Sequence, residues 1–305
     1  MAREKQRGLK LPANPIALLN AIGFAEEKST AGFRLSLLID SSLDHELVRY
    51  AKERFYPVTD NLSISVIPYF DELPKFALHS ELVIIFAAEA PLTGRLLIQA
   101  LKEQVPAVVV TLDPMLLQRI ARDNYQEIDL PSLVTVPERG DTRERFERLF
   151  KELGEWITRA SVDGLLPLAR ALPFVRDPFV KNAIQAAALQ NAAIAAVFFL
   201  PGADMPLLTL NQARLFLQIA AVYDAELDRQ RIKEMALIVL GGFGFRMIAR
   251  RLALLLPTIK WALRGSVAYT GTLAVGMAAR EYFEKGGDLK DIVKGLQTAA
   301  KPKAL

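Results

Sequence analysis

An α/β domain followed by an apolar helical domain is the fold class this sequence predicts, and three observations predict it. Up to about residue 160, short apolar runs rich in β-branched residues alternate with segments of helical spacing. Beyond that point the period of two disappears, and Pro167, Pro173 and Pro178 punctuate a change of pattern. From about Phe179 to Leu296 every long segment then reads as helix.

The elements follow in order. Residues 1–32 read as a basic tail with a short helix near Ile16 to Ile22. Phe33 to Ile39 has strand composition, and Asp40, Ser41 and Ser42 suit a helix start before the helical spacing of Leu43, Leu47, Val48 and Ala51. Leu62 to Ile67 alternates, Leu82 to Ala88 and Ala107 to Leu112 are continuous apolar runs, and Leu133 to Val136 is a shorter one. Helices are expected at about Leu92 to Gln104, at Pro114 to Asn124 with Asp113 as its cap, and at Thr142 to Ala160 with Asp141 as its cap. Alternation of this kind implies a Rossmann-like parallel sheet covered by helices over residues 33–160. Residues 161–178 read as a linker and 179–305 as the helical domain, broken near Asp224 to Asp228, at Gly241 to Gly244, at Pro257 and at Gly286-Gly287.

The stretch Leu200 to Gln212 organises the second half. Pro201 and Gly202 close the apolar run before it, Asp204 and Pro206 mark a turn, and Thr209 with Gln212 has the spacing of a reciprocal helix cap. That reading starts a helix at about Leu210. Further on, Ala268, Thr272 and Gly276 recur every four residues, a ridge of small side chains that lets another helix approach closely.

Composition bounds the function. The chain has no cysteine, which excludes disulfides, thiolate metal sites and a cysteine nucleophile. Its 38 basic residues are interspersed with 34 acidic ones, so the net charge of +4 is no nucleic-acid signature. Mean hydropathy is +0.20, and residues 182–203 carry no charge over a length that could span a bilayer, although Asn182, Gln185, Gln190 and Asn191 interrupt it. Residues 252–279 contain Pro257, Lys260 and Arg264. Both stretches suit either buried helices of an all-α domain or membrane spans.

No catalytic, metal or cofactor constellation emerges. A phosphate-binding loop needs glycines and a lysine after the first strand. Here that turn reads Asp40 to His45 with neither, and Thr111-Leu112-Asp113-Pro114 stands where a guanine-reading motif belongs. His45 and His79 lack partners at metal-ligand spacing. Gly241-Gly-Phe-Gly244 lacks the third glycine of a dinucleotide fingerprint, and Arg246, Arg250, Arg251, Lys260 and Arg264 form a basic group that serves either anionic headgroups, an acidic partner or solvent.

The second half resembles a family of helical domains, domain of unknown function 697, found behind Era-like GTPase domains in bacteria. The resemblance covers about residues 180–285 and rests on Pro201, Asp204, Pro206, Thr209, Gln212, Ile219 to Tyr223, Leu240-Gly241, Arg246, Pro257, Gly271-Thr272, Gly276 and Tyr282-Phe283. The first half is similar to an Era-like domain in its order of elements, less one edge strand. Ser80 to Ala88 resembles a fourth strand, Val105 to Val110 a fifth, and Arg139-Gly140 with Phe146 and Leu149 the start of a last helix. It departs from that family at every nucleotide-contacting motif. The resemblance therefore implies a degenerate G-domain-like half joined to a GTPase-associated helical module.

Three functions stay open at this point. One is a non-catalytic protein at the cytoplasmic face, associated with or integral to a membrane, or bound to a protein partner such as a GTPase. A second is a divergent nucleotide-binding regulator that holds phosphate through Asp40, Ser41 and Ser42 at a helix start. The third is an enzyme using the strand-end carboxylates Asp40, Glu89 and Asp113.

Overall fold

The computed structural model describes residues 31–74, 80–88, 92–123, 133–135, 139–160, 164–197, 205–225 and 260–285. Contacts divide the chain into two compact units, one over Lys28–Phe179 and one that takes in Val180–Leu305.

The first unit is α/β. Its strands are β1 (Phe33–Asp40), β2 (Leu62–Tyr69), β3 (Leu82–Phe86), β4 (Ala107–Val110) and β5 (Leu133–Val134). Between and after them lie α1 (His45–Arg54), α2 (Thr93–Lys102), α3 (Pro114–Asp123), α4 (Thr142–Arg159) and α5 (Leu165–Ala171). The sheet is parallel throughout, in the order β2-β1-β3-β4-β5. Every residue of β3 and β4 is buried, which is why both read as unbroken apolar runs rather than alternating ones. β2 lies at the edge and alternates. That position also lets it run two residues past the expected end, through Pro68, whose missing N–H costs nothing on the open side.

Each face of the sheet has its own cover. On one, Leu38, Val83, Ile85 and Val109 pack with Leu96, Leu97 and Ala100 of α2 and with Leu116 and Ile120 of α3. On the other, an aromatic cluster joins α1, β3 and α4: Phe86 stacks on Phe150 at 6.0 Å between ring centroids, Phe55 meets Phe86 edge-on, and Tyr50 packs on Phe146. The expected caps of α3 and α4 form, with Asp113 accepting from the Met115 N–H at 2.8 Å and Asp141 from the Glu144 N–H at 2.8 Å. α1 is capped by Asp44 rather than by Asp40, Ser41 or Ser42.

The stretch read as a linker is largely helix. Pro167 sits in the first turn of α5, and Pro173 opens α6 (Pro173–Val197), positions where a missing N–H leaves no bond unmade. Pro178 lies inside α6 and cannot bond the Phe174 carbonyl one turn back. That oxygen turns toward Gly154 of α4, where a Cβ would meet it at 2.6 Å, so only glycine fits.

The second unit, among the described residues, is helical: α6 from Val180 onward, α7 (Met205–Val222) and α8 (Lys260–Lys285). α7 begins at Met205, five residues ahead of expectation, because Pro206 suits a first helical turn as well as a turn before one. Thr209 is therefore inside the helix and caps nothing. Ala268, Thr272 and Gly276 of α8 do receive neighbours at close range. Ala268 packs with Ala195 and Leu208, and a Cβ on Gly276 would lie 2.7 Å from Ile184 Cγ1 and 3.1 Å from Leu215 Cδ2. No helix among the described residues is long and apolar enough to cross a membrane, and residues 198–203 and 252–259 of the two stretches weighed as spans lie outside the described residues.

Candidate functional site

In an open parallel sheet, the crevice for a ligand lies beyond the carboxyl ends of the strands where the strand order reverses. Here that point is between β1 and β3, because the chain leaves β1 toward β2 on one side and then returns to build β3, β4 and β5 on the other. Asp40 ends β1 at this place.

The Asp40 side chain is fully buried and saturated by local donors. Its Oδ1 accepts from the Ser42 N–H at 2.8 Å and from the Ser42 hydroxyl at 2.6 Å, and its Oδ2 accepts from the Ala88 N–H at 2.9 Å. One carboxyl group thus ties the turn after β1 to the end of β3. Ser41 N–H meanwhile donates to the Tyr69 carbonyl at 2.9 Å, and Leu43 N–H to the Asp40 carbonyl at 3.1 Å. The turn is closed by its own bonds.

Two further residues complete the polar group, and neither stood out in the sequence. Tyr69 is the register partner of Asp40 on β2, and its hydroxyl shares a hydrogen bond of 2.9 Å with the Thr93 hydroxyl at the start of α2. Burial pushes the Tyr69 phenol well above its ordinary pKa; the Asp40 charge adds to the rise and the Thr93 bond opposes it. A tyrosine just past a Pro and 24 residues from Thr93 carries no local signal, and the two meet only because β1 pairs with β2 on one side and with β3, which leads to α2, on the other.

This arrangement disfavours an anion. A phosphate at a strand-to-helix turn needs free backbone N–H groups and a cation. Asp40 takes the N–H groups of Ser42 and Ala88, while Asp44 and Glu46 put further negative charge at the first turn of α1. His45 is exposed on the same turn. Asp113 spends one oxygen on its cap and pairs the other with Arg119 at 3.1 Å, so it stands as a helix cap. Glu89 and His79 lie outside the described residues, as do Pro201, Asp204, Gly241 and Arg246. No group of three or more His, Asp or Glu side chains that could hold a metal occurs among the described residues.

The second unit gathers several of its singled-out residues into one buried polar node. The Thr272 hydroxyl donates to the Ala268 carbonyl at 2.8 Å and accepts from Asn191 Nδ2 at 2.8 Å and Gln212 Nε2 at 3.3 Å. Asn211 Nδ2 donates to Asn191 Oδ1 at 3.0 Å, so α6, α7 and α8 are pinned at one level. Thr209, one turn before Gln212, is 2% exposed, and its hydroxyl has no hydrogen-bond partner among the described residues. Gly271 is buried beside Thr272, and Pro206 is exposed at the start of α7. The node contains no titratable group, so it serves packing and register rather than acid–base chemistry.

Comparison of the chain with protein-family models, with curated proteins and with solved structures finds no match.

Proposed function

We propose that this chain is a non-catalytic binding protein whose α/β unit is a G-domain-like scaffold without nucleotide chemistry, and whose helical unit docks on a membrane surface or a protein partner at the cytoplasmic face. The observation that carries the reading is the turn after β1, whose N–H donors are all spent within the protein: Ser42 N–H on the Asp40 carboxylate, Ser41 N–H on the Tyr69 carbonyl and Leu43 N–H on the Asp40 carbonyl. The element order along the first unit, that of a GTP-binding domain less one edge strand, and the resemblance of the second half to a GTPase-associated helical family support the same reading.

The docking half of the proposal has its own support. No charged residue occurs between Lys181 and Asp204, yet α6 exposes Ala186, Leu189, Ala193 and Val197. An exposed helix face normally carries charge. The nucleotide-regulator alternative would need the Asp40 bonds to open, and the enzyme alternative loses Asp40 and Asp113 to roles in the turn and the cap.

Titration calorimetry with GTP, GDP and ATP in the presence of magnesium is expected to show no binding, and micromolar affinity for any of them overturns the scaffold reading. Membrane extraction tests the docking half, with release by carbonate expected. Recovery as a free monomer with no bound lipid or protein counts against it.

A further inference from the structure

The two outer strands of the sheet are unlike. β5 has two residues among those described, and so short an edge offers little to pair with. β2 has eight, its register with β1 runs unbroken along all of them, and no charged residue occurs from Asn61 to Phe70. The usual guards of an edge are a lysine, a bulge or a proline, and β2 has only Pro68, near its end.

The ladder fixes where the free groups of β2 point. Phe33 N–H donates to the Asn61 carbonyl at 2.9 Å and Ser41 N–H to the Tyr69 carbonyl at 2.9 Å, so the odd-numbered residues of β2 face β1 by the two-residue alternation of a strand. Leu62, Ile64 and Val66 therefore turn N–H and C=O outward. No hydrogen bond from another described residue reaches these groups, and the Ala171 carbonyl at the end of α5, the helix nearest this strand, accepts from the Val58 N–H instead.

The strand is complementary to itself. Leu62-Ser-Ile-Ser-Val66 alternates apolar residue and serine in either direction about Ile64. An antiparallel copy centred there sets Leu62 against Val66, Ser63 against Ser65 and Ile64 against Ile64, so like meets like on both faces. Each outward N–H of Leu62, Ile64 and Val66 then meets an outward carbonyl. The same register sets Asp60 opposite Pro68 rather than opposite Asp71 or Glu72, so no two carboxylates are directly opposed. Exposed apolar side chains continue past both ends of the strand, Val58 before it and Phe70 after it, and antiparallel pairing sets the start of one strand beside the end of the other. They add apolar area toward the roughly 800 Å² that each partner gives to a stable dimer.

We propose that β2 pairs antiparallel with β2 of a second copy of this chain, about a two-fold axis at Ile64, joining two five-stranded sheets into one. This surface belongs to the α/β unit alone, so the pairing stands apart from the docking proposed for the helical unit.

Sedimentation velocity on the full chain is expected to show a dimer that dissociates on dilution. Ile64→Pro removes an N–H that bonds nothing within the fold, and with it two hydrogen bonds at the axis, one from each copy. It is expected to weaken the dimer by at least about tenfold, with an unaltered circular dichroism spectrum. Cysteine pairing tests the register without touching the backbone, and the chain has no thiol of its own. A mixture of the Ser63→Cys and Ser65→Cys chains is expected to form a disulfide-linked dimer under mild oxidation, because directly opposed residues between bonded pairs lie about 4.5 Å apart at Cα. Either variant alone is expected to stay unlinked, since the diagonal separation of roughly 7–8 Å exceeds the reach of a disulfide. A monomer at every accessible concentration, a folded Ile64→Pro chain that pairs as well as the unaltered one, or a mixture that links no better than the single variants overturns the proposal.

Discussion

The two units bury polar groups by different means. In the α/β unit, a charged side chain, Asp40, is fed by backbone N–H groups that come free where strands end and the chain turns. In the helical unit, Asn191, Gln212 and Thr272 are neutral and must satisfy one another, because the backbone groups of α6, α7 and α8 are already used within each helix. The carboxyl end of a sheet strand can therefore house a charge, whereas the middle of this helix packing houses amides and hydroxyls. The surfaces differ in the same sense. α4 has a buried stripe of Phe146, Leu149, Phe150, Leu153 and Ile157 under a charged outer face, while α7 buries residues on nearly every side.

The sharpest way to break this contrast is Asp40→Ala. It leaves the N–H groups of Ser42 and Ala88 without their acceptor, and a loss of roughly 1–3 kcal/mol in urea unfolding is expected. Asp40→Asn, which keeps one acceptor oxygen, should lose less. Should both variants unfold at the unaltered midpoint, the carboxyl group is not what holds the turn.

Tyr69 sharpens the comparison through pH. Its folded pKa is raised above the unfolded value of about 10, so the neutral phenol is favoured in the folded chain and its contribution is intact below that pH. As pH climbs past about 10, the unfolded chain loses a proton that the folded chain keeps, and stability should fall by about 1.4 kcal/mol per pH unit. Urea midpoints measured in alkaline buffers check the slope, which Tyr69→Phe should abolish.

The smallest effect concerns the helical unit and has the opposite sign. Thr209→Val removes a buried hydroxyl that has no partner among the described residues and keeps the side-chain shape. A gain of about 1 kcal/mol is expected, measured as a higher thermal midpoint. A loss instead would mean that the hydroxyl meets a bound water.

Much of the fold was legible because the strands differ in composition. β3 and β4 announce full burial by their unbroken apolar runs, and β2 announces an edge by its alternation. Prolines misled in a consistent way. Pro167, Pro173 and Pro206 suggest breaks by their residue type alone, yet each sits in a first turn, where a helix tolerates proline and even favours it. The candidate site was half legible. Asp40 drew notice at a strand end, but its acceptor role depends on Ala88, 48 residues away, and on the adjacency of β1 and β3. No local pattern encodes that adjacency.

The central place of β1 has a consequence for synthesis. This strand leaves the ribosome before any of its neighbours, and both of its ladders wait for later chain, first Leu62 to Tyr69 and then Leu82 to Phe86. Until the second arrives, a strand carrying Phe33, Leu35, Leu37, Leu38 and Ile39 has an unfilled edge, so the nascent first unit is expected to need shielding by a chaperone through that interval.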